Sequence, residues 1–265
     1  MTFYAILAGL PIYWMIITTF KPDRDLYNLA NFPLWFNQNG ITFDHLGLLF
    51  NRTSFNTWIK NTIVVCAAVV AITLAVSVPA GYALARLRFR GAESLSIGIF
   101  MTYLVPTTLL FLPLVKVISF LGVFDRLQAL ILAYPTFTIP FCTWLMAGFF
   151  RTIPIEIEEA AMVDGCSRLG AIPRVILPLS LAGMLTVAIF AFTLSMQDFV
   201  YALTFVSSSD EKVVTIGVVT ELIRGDVFFW GSLMGGALIA GAPVAILYSF
   251  FLDYFVRGIT GGAIK

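Results

Sequence analysis

Six long apolar runs limit what this chain can fold into. They lie near 2–20, 58–85, 95–120, 127–150, 179–206 and 228–256. Each is close to or above the ~20 residues that an α-helix needs to cross a bilayer. In lipid every backbone polar group must be satisfied within the protein, which leaves helices and closed barrels. Barrel strands read as short alternating segments of about ten residues, and these runs are continuous. The expected fold class is an all-α membrane protein with about six transmembrane helices and both termini on one side. Composition agrees: 12% of the residues are charged, against about 25% in an ordinary soluble domain.

The same composition excludes several functions. Sixteen basic and 15 acidic residues give a net charge of +1, so no nucleic-acid partner is expected. Cys66, Cys142 and Cys166 are far apart and form no Cys-x-x-Cys pair. They read as small hydrophobes rather than a metal or disulfide set. His45 is the one histidine, which argues against a zinc or haem site. The first run lacks a basic leader and a small-residue cleavage site and contains Pro11 and Trp14. It therefore reads as a retained span. With almost nothing ahead of it, either the tail there is very short or the start lies upstream.

Basic residues nearly tie between the two sides of the predicted topology. The cluster Arg86-Leu87-Arg88-Phe89-Arg90 then places the termini in the cytosol by the positive-inside rule, which weighs residues near span ends. Pro11, Pro79, Pro106, Pro113, Pro135, Pro140 and Pro243 fall within the runs. Each removes a backbone donor and can kink a helix. Lys116 lies inside the third run and reads as one half of a structural pair at a helix end. The stretch from Lys21 to Thr57 is too short for a separate domain.

Charge gathers instead between the fourth and fifth runs. Pro154 suits a first helical turn. Glu156 and Glu158 suit the positive end of the helix dipole. Ala160, Ala161 and Met162 favour helix. Gly165 fits the left-handed residue that ends it, and Ser167 can cap a second short helix. Pro173 and Pro178 are expected to set that second helix's end and the entry to the next span. Glu158, Glu159 and Asp164 offer charge to something basic, and Ala160 and Ala161 leave room for a close partner. On pattern alone this is equally an ordinary solvated loop with acidic caps.

The spacing Glu159-Ala160-Ala161, three residues, Gly165, nine residues, Val175, one residue, Leu177-Pro178 resembles the EAA motif. That motif belongs to permease subunits of binding-protein-dependent ABC importers. Val175 stands where Ile is usual, and Cys166 where Ala is common. Thr18–Pro22, Ala80–Arg86, Phe89-Arg90-Gly91 and the tail Phe255–Lys265 are similar to sugar permeases. The tail is similar to that of the maltose-type, carbohydrate-uptake branch, and the chain resembles the second permease of that branch. The resemblance implies a first helix and external loop over 1–57, a type I permease core over 58–258 and a cytosolic tail over 259–265. It also implies an EAA loop over 151–178. The loop would hold a coupling helix that docks in a cleft of an ATPase subunit. Glu158, Glu159, Ala160, Ala161, Asp164, Gly165, Leu177 and Pro178 would form that contact, Glu159 through a polar bond and Ala160 and Gly165 by letting the helix seat. The implied partners are a homologous second permease, two ATPase subunits, an extracytoplasmic solute-binding protein and the lipid of a prokaryotic cell membrane. ATP and magnesium would be bound by the ATPase subunits, and no cofactor by this chain.

No Gly-x-x-x-x-Gly-Lys-[Ser/Thr] occurs, and none of the five lysines follows a glycine. The chain cannot cradle ATP phosphates in that manner. Gln197, Asp198 and Tyr201 lie in the fifth run. An ionisable residue at membrane depth faces a cavity or a partner. These three read either as translocation-path residues or as inter-helix hydrogen bonds. Met196 and Gln197 replace the Trp-Asn usual in sugar permeases, which weakens a direct carry-over of a sugar contact. The leading function is permease for an oligosaccharide or disaccharide. The alternatives are the same machine carrying a polyamine, glycerol phosphate or amino acid, and a stand-alone secondary transporter. An intramembrane enzyme would want a His, a paired carboxylate or a Ser/Lys dyad in the spans.

Overall fold

The computed structural model describes residues 2–260 except Gln38 and Arg88. The tail from Gly261, part of the sugar-permease resemblance, lies outside them, as does Arg88 of the basic cluster. In chain order the helices are α1 (Thr2–Phe20), α2 (Asp23–Leu26), α3 (Asp44–Arg52), α4 (Phe55–Arg86), α5 (Ala92–Tyr103), α6 (Thr107–Phe120), α7 (Leu127–Ala133) and α8 (Pro135–Thr152). There follow α9 (Ile155–Val163), α10 (Arg168–Ala171), a π-helical turn (Ile172–Ile176), α11 (Leu177–Leu179), α12 (Leu181–Gln197), α13 (Val200–Phe205) and α14 (Val214–Leu222). A small hairpin, β1 (Ile223–Arg224) and β2 (Val227–Phe228), leads into α15 (Trp230–Thr260).

The six apolar runs survive in altered form. Phe55–Arg86, Leu127–Thr152 and Trp230–Phe251 are long and apolar enough to cross a membrane unbroken. The run at 95–120 is a pair of helices bent by 92°. The bend falls at Pro106, which precedes α6. Proline has no N–H to give and pushes the residue before it out of the helical region. A second pair, Arg168–Leu179 and Leu181–Gln197, bends by 74°. The first apolar run is α1.

The expectation that Pro173 ends the second loop helix is corrected. Helical structure runs from Arg168 to Leu179, and the π-helical turn over Ile172–Ile176 carries the chain past Pro173. A wider turn is one way for a helix to absorb the bond that proline cannot make. Lys116 is also corrected. It is exposed on α6 and makes no ion pair among the described residues.

The chain forms two compact units, residues 1–63 with 206–246, and residues 64–205 with 247–265. In the first unit Leu49, Phe55, Trp58, Val214, Val218 and Leu222 make the core. Trp58 donates its indole N–H to Ser209 O at 2.8 Å. Asn61 donates to Asp210 O and Lys212 O at 2.7 and 2.9 Å. These bonds pin the segment ahead of α14 to α4. The stretch after α1 is an ordered cap built on buried polar groups. Lys21 is buried and donates Nζ to Phe32 O at 2.8 Å. Asp25, also buried, accepts from Asn39 and Asn31 at 2.7 and 3.1 Å.

In the second unit α8 is the central helix. It meets α4 where Gly81 lies flat against Met146 and Ala147 and where the Thr73 and Thr138 hydroxyls bond at 2.8 Å. It meets α12 through the stacked Phe141 and Phe190 rings, 4.1 Å apart, and through Gly183 under the Phe149 ring. It meets α5 through Phe100 and Trp144, 4.8 Å apart. Small residues at such crossings let helix backbones approach where lipid supplies no hydrophobic drive.

Candidate functional site: the acidic helix-turn-helix

The loop of the second unit folds as its sequence dictates at both ends of α9. Gly165 sits at φ +94°. Its N–H bonds to Met162 O at 3.1 Å, and the Cys166 N–H bonds to Ala161 O at 3.0 Å. This is the Schellman closure, which needs a residue free to adopt positive φ. Ser167 then caps α10, its hydroxyl accepting the Gly170 N–H at 3.1 Å.

The two faces of α9 differ. Outward lie Ile155, Glu156, Ile157, Glu159, Ala160 and Val163, followed by Asp164 in the turn. Val163 is 86% exposed, and Leu169 on α10 is 80% exposed. Sequence reasoning missed this pair of open aliphatic side chains, because an apolar residue in a short helix reads as buried until the fold turns it outward. Inward lie Ala161 and Glu158. Of the remaining motif residues, Leu177 is half-buried and Pro178 is exposed.

Glu158 does not offer its charge outward as the sequence suggested. It is 3% exposed. Tyr82 Oη donates to its Oε1 at 2.5 Å. Arg86 Nε lies 3.6 Å from its Oε2, and Arg168 Nε lies 3.6 Å from its Oε1. Arg86 also donates Nη2 to Ile153 O at 2.6 Å, just ahead of α9. Arg86 Nε and Glu158 Oε2 make no hydrogen bond among the described residues, so their attraction is purely ionic. Tyr82 and Arg86 are four residues apart and share one face of α4's last turns. That i, i+4 spacing was the available signal for this cluster. An Arg beside a span end reads first as a topology marker.

The second group of predicted residues stands at the far end of α12. Its 17 residues set Gln197 about 25 Å from Leu181 at 1.5 Å per residue. Gln197 is exposed. Asp198 Oδ1 receives the N–H groups of Tyr201 and Ala202, both at 3.1 Å. It therefore closes the first turn of α13. Tyr201 is fully buried, with Tyr134, Phe137 and Phe205 around it at ring distances of 6.3, 5.5 and 5.7 Å. In this structure its ring is out of reach of a passing solute. Asp198→Ala should lose about 0.5–2 kcal/mol of stability, the usual value of such a cap. Asp198→Asn keeps the acceptor and should keep most of it. Thermal unfolding of both variants in detergent checks this, and equal losses would refute capping.

Comparison with known proteins fits this arrangement. Residues 77–261 match the family described as binding-protein-dependent transport system inner membrane component. The chain belongs to that family. The matched span takes in the end of α4, the acidic helix-turn-helix and all of α15. Relatives align along almost the whole chain. The inner membrane ABC transporter permease protein YcjP of Escherichia coli is 31% identical over 264 residues, 99% of this chain and 93% of that protein. The trehalose/maltose transport system permease protein MalG of Thermococcus litoralis is 30% identical, covering 98% and 93%. The diacetylchitobiose uptake system permease protein DasC of Streptomyces coelicolor is 29% identical, covering 96% and 91%. The fold matches a solved bacterial ABC transporter involved in the import of alginate, with a TM-score of 0.80 at 19% identity over 96% of this chain and 93% of that one. The protein is an ABC permease, a membrane transport component and not an enzyme. A stand-alone secondary transporter is set aside with it.

Proposed function

We propose that the chain forms half of the pathway of an ATP-driven importer for an oligosaccharide or disaccharide. Energy enters it through α9 and the turn at Gly165. The carrying observation is the open surface of this helix-turn-helix, where Val163 and Leu169 stand almost fully exposed and Glu159 is exposed as well. Aliphatic side chains held out on a short polar loop suit a partner that covers them. Glu159 and Asp164 can meet basic groups of that partner, and Ala160 and Gly165 let it come close. The partner is an ATPase subunit, which binds ATP and magnesium. The full assembly has two such subunits, a homologous second permease and an extracytoplasmic binding protein. The loop and both termini face the cytosol.

The sugar assignment rests on relatives whose names give trehalose, maltose, maltodextrin and diacetylchitobiose as cargo. Calorimetry of the cognate binding protein against those sugars, spermidine, glycerol phosphate and amino acids tests it. Tight binding of a non-sugar alone would overturn it. For the coupling site, Glu159→Lys with Gly165→Val should lower ATPase stimulation and uptake in proteoliposomes by about tenfold or more, within the range of coupling between sites. Valine at φ +94° is strained, and lysine reverses the charge. Native coupling in that variant would sink the assignment.

A further inference from the structure

We propose that Tyr82, Arg86, Glu158 and Arg168 form a rigid joint that makes α9 move as one body with the cytosolic end of α4. This deepens the coupling assignment above and rests on it. Docking alone moves a surface helix, and transport requires that the motion reach a span. Three observations place the transfer here. Glu158 points away from the docking face and is 3% exposed, with the Arg86 side chain 7% exposed. A charge held so far from water is costly unless its partners are fixed in place. The bonds join three elements at once. Tyr82 and Arg86 come from α4, Glu158 from α9 and Arg168 from α10. Arg86 reaches further, to Ile153 O between α8 and α9. Finally, the α4 end of the joint is itself locked to α8. Gly81 abuts Met146 and Ala147, and the Tyr82 ring packs edge-on against Phe150 at 5.8 Å. Displacing α9 therefore displaces α4 and α8 together, because well-packed interfaces shift as units rather than deform.

The test places spin labels at Val76→Cys on α4 and Glu156→Cys on α9, both exposed positions, in a Cys166→Ser background. The permease complex is reconstituted with its ATPase subunits. The distance between labels is read without nucleotide and with ATP and vanadate. Mobility of the Glu156 label reports docking. The joint predicts that the label is immobilised by the ATPase and that the distance is the same in both states. Glu158→Gln, which removes the charge but keeps the shape, should leave the label immobilised and lose that constancy. Tyr82→Phe is a milder second variant and should broaden the distance distribution. A distance that shifts between states in the unaltered joint, with the label immobilised, overturns the joint and leaves docking standing. Constancy retained in both variants overturns it as well. A label that stays mobile overturns docking and the joint together.

Discussion

Replacing Glu158 with alanine should destabilise the permease by about 3–5 kcal/mol, the range for removing one member of a buried ion pair. The reason is what remains behind. Arg86 would keep its charge in a site where its side chain is 7% exposed, and the Tyr82 hydroxyl would lose its 2.5 Å acceptor. Arg168 is 53% exposed and can turn to water, so it adds little to the loss. Glu158→Met together with Arg86→Met should recover most of the stability, because a well-packed apolar pair often replaces a buried ion pair without penalty. Thermal unfolding in detergent separates these cases. If Glu158→Ala lay within the roughly 0.5 kcal/mol of an ordinary surface change, the buried-pair reading would be wrong.

The second large effect is expected at Gly81. A Cβ there would sit 2.7 Å from Met146 Cβ and 2.9 Å from the Ala147 backbone nitrogen. Backbone cannot step aside as a side-chain tip can. Gly81→Ala should cost about 1–3 kcal/mol, the usual penalty for overpacking. Gly81→Leu must force α4 and α8 apart, losing the Thr73–Thr138 bond as well, and should leave little folded protein. Gly148→Ala is the matching control, since nothing lies within 4 Å of its new Cβ. It should be neutral or stabilising by up to ~1 kcal/mol, because alanine favours helix over glycine. The yield of monodisperse protein and its melting temperature measure both. A Gly81→Leu variant that folds like the native chain would refute the close crossing.

These two sites mark how far the sequence could be read. The Schellman turn at Gly165 and the Ser167 cap were legible because each depends on one residue's backbone freedom or one hydroxyl, both local properties. The inward turn of Glu158 was not. In the chain it is one of two adjacent glutamates, and nothing local separates Glu158, which is buried, from Glu159, which is exposed. What separates them is the direction in which α9 lies on α4, and that depends on residues some 70 positions away. Asp198 is a related case. A carboxylate in an apolar run reads as functional, and the structure gives it the N–H groups of α13.

The sequence by itself determined the class of protein, an all-α membrane chain whose apolar runs leave the backbone no other way to satisfy its hydrogen bonds in lipid. It also determined the family, through a motif whose spacing is written along the chain. Only the tertiary structure decided where the spans break, at Pro106 and again between Leu179 and Leu181. It alone decided that Val163 and Leu169 face outward while Glu158 faces Arg86. Hydrophobic runs and caps are properties of neighbouring residues. Which side of a nine-residue helix meets a distant arginine is fixed only when the helices pack.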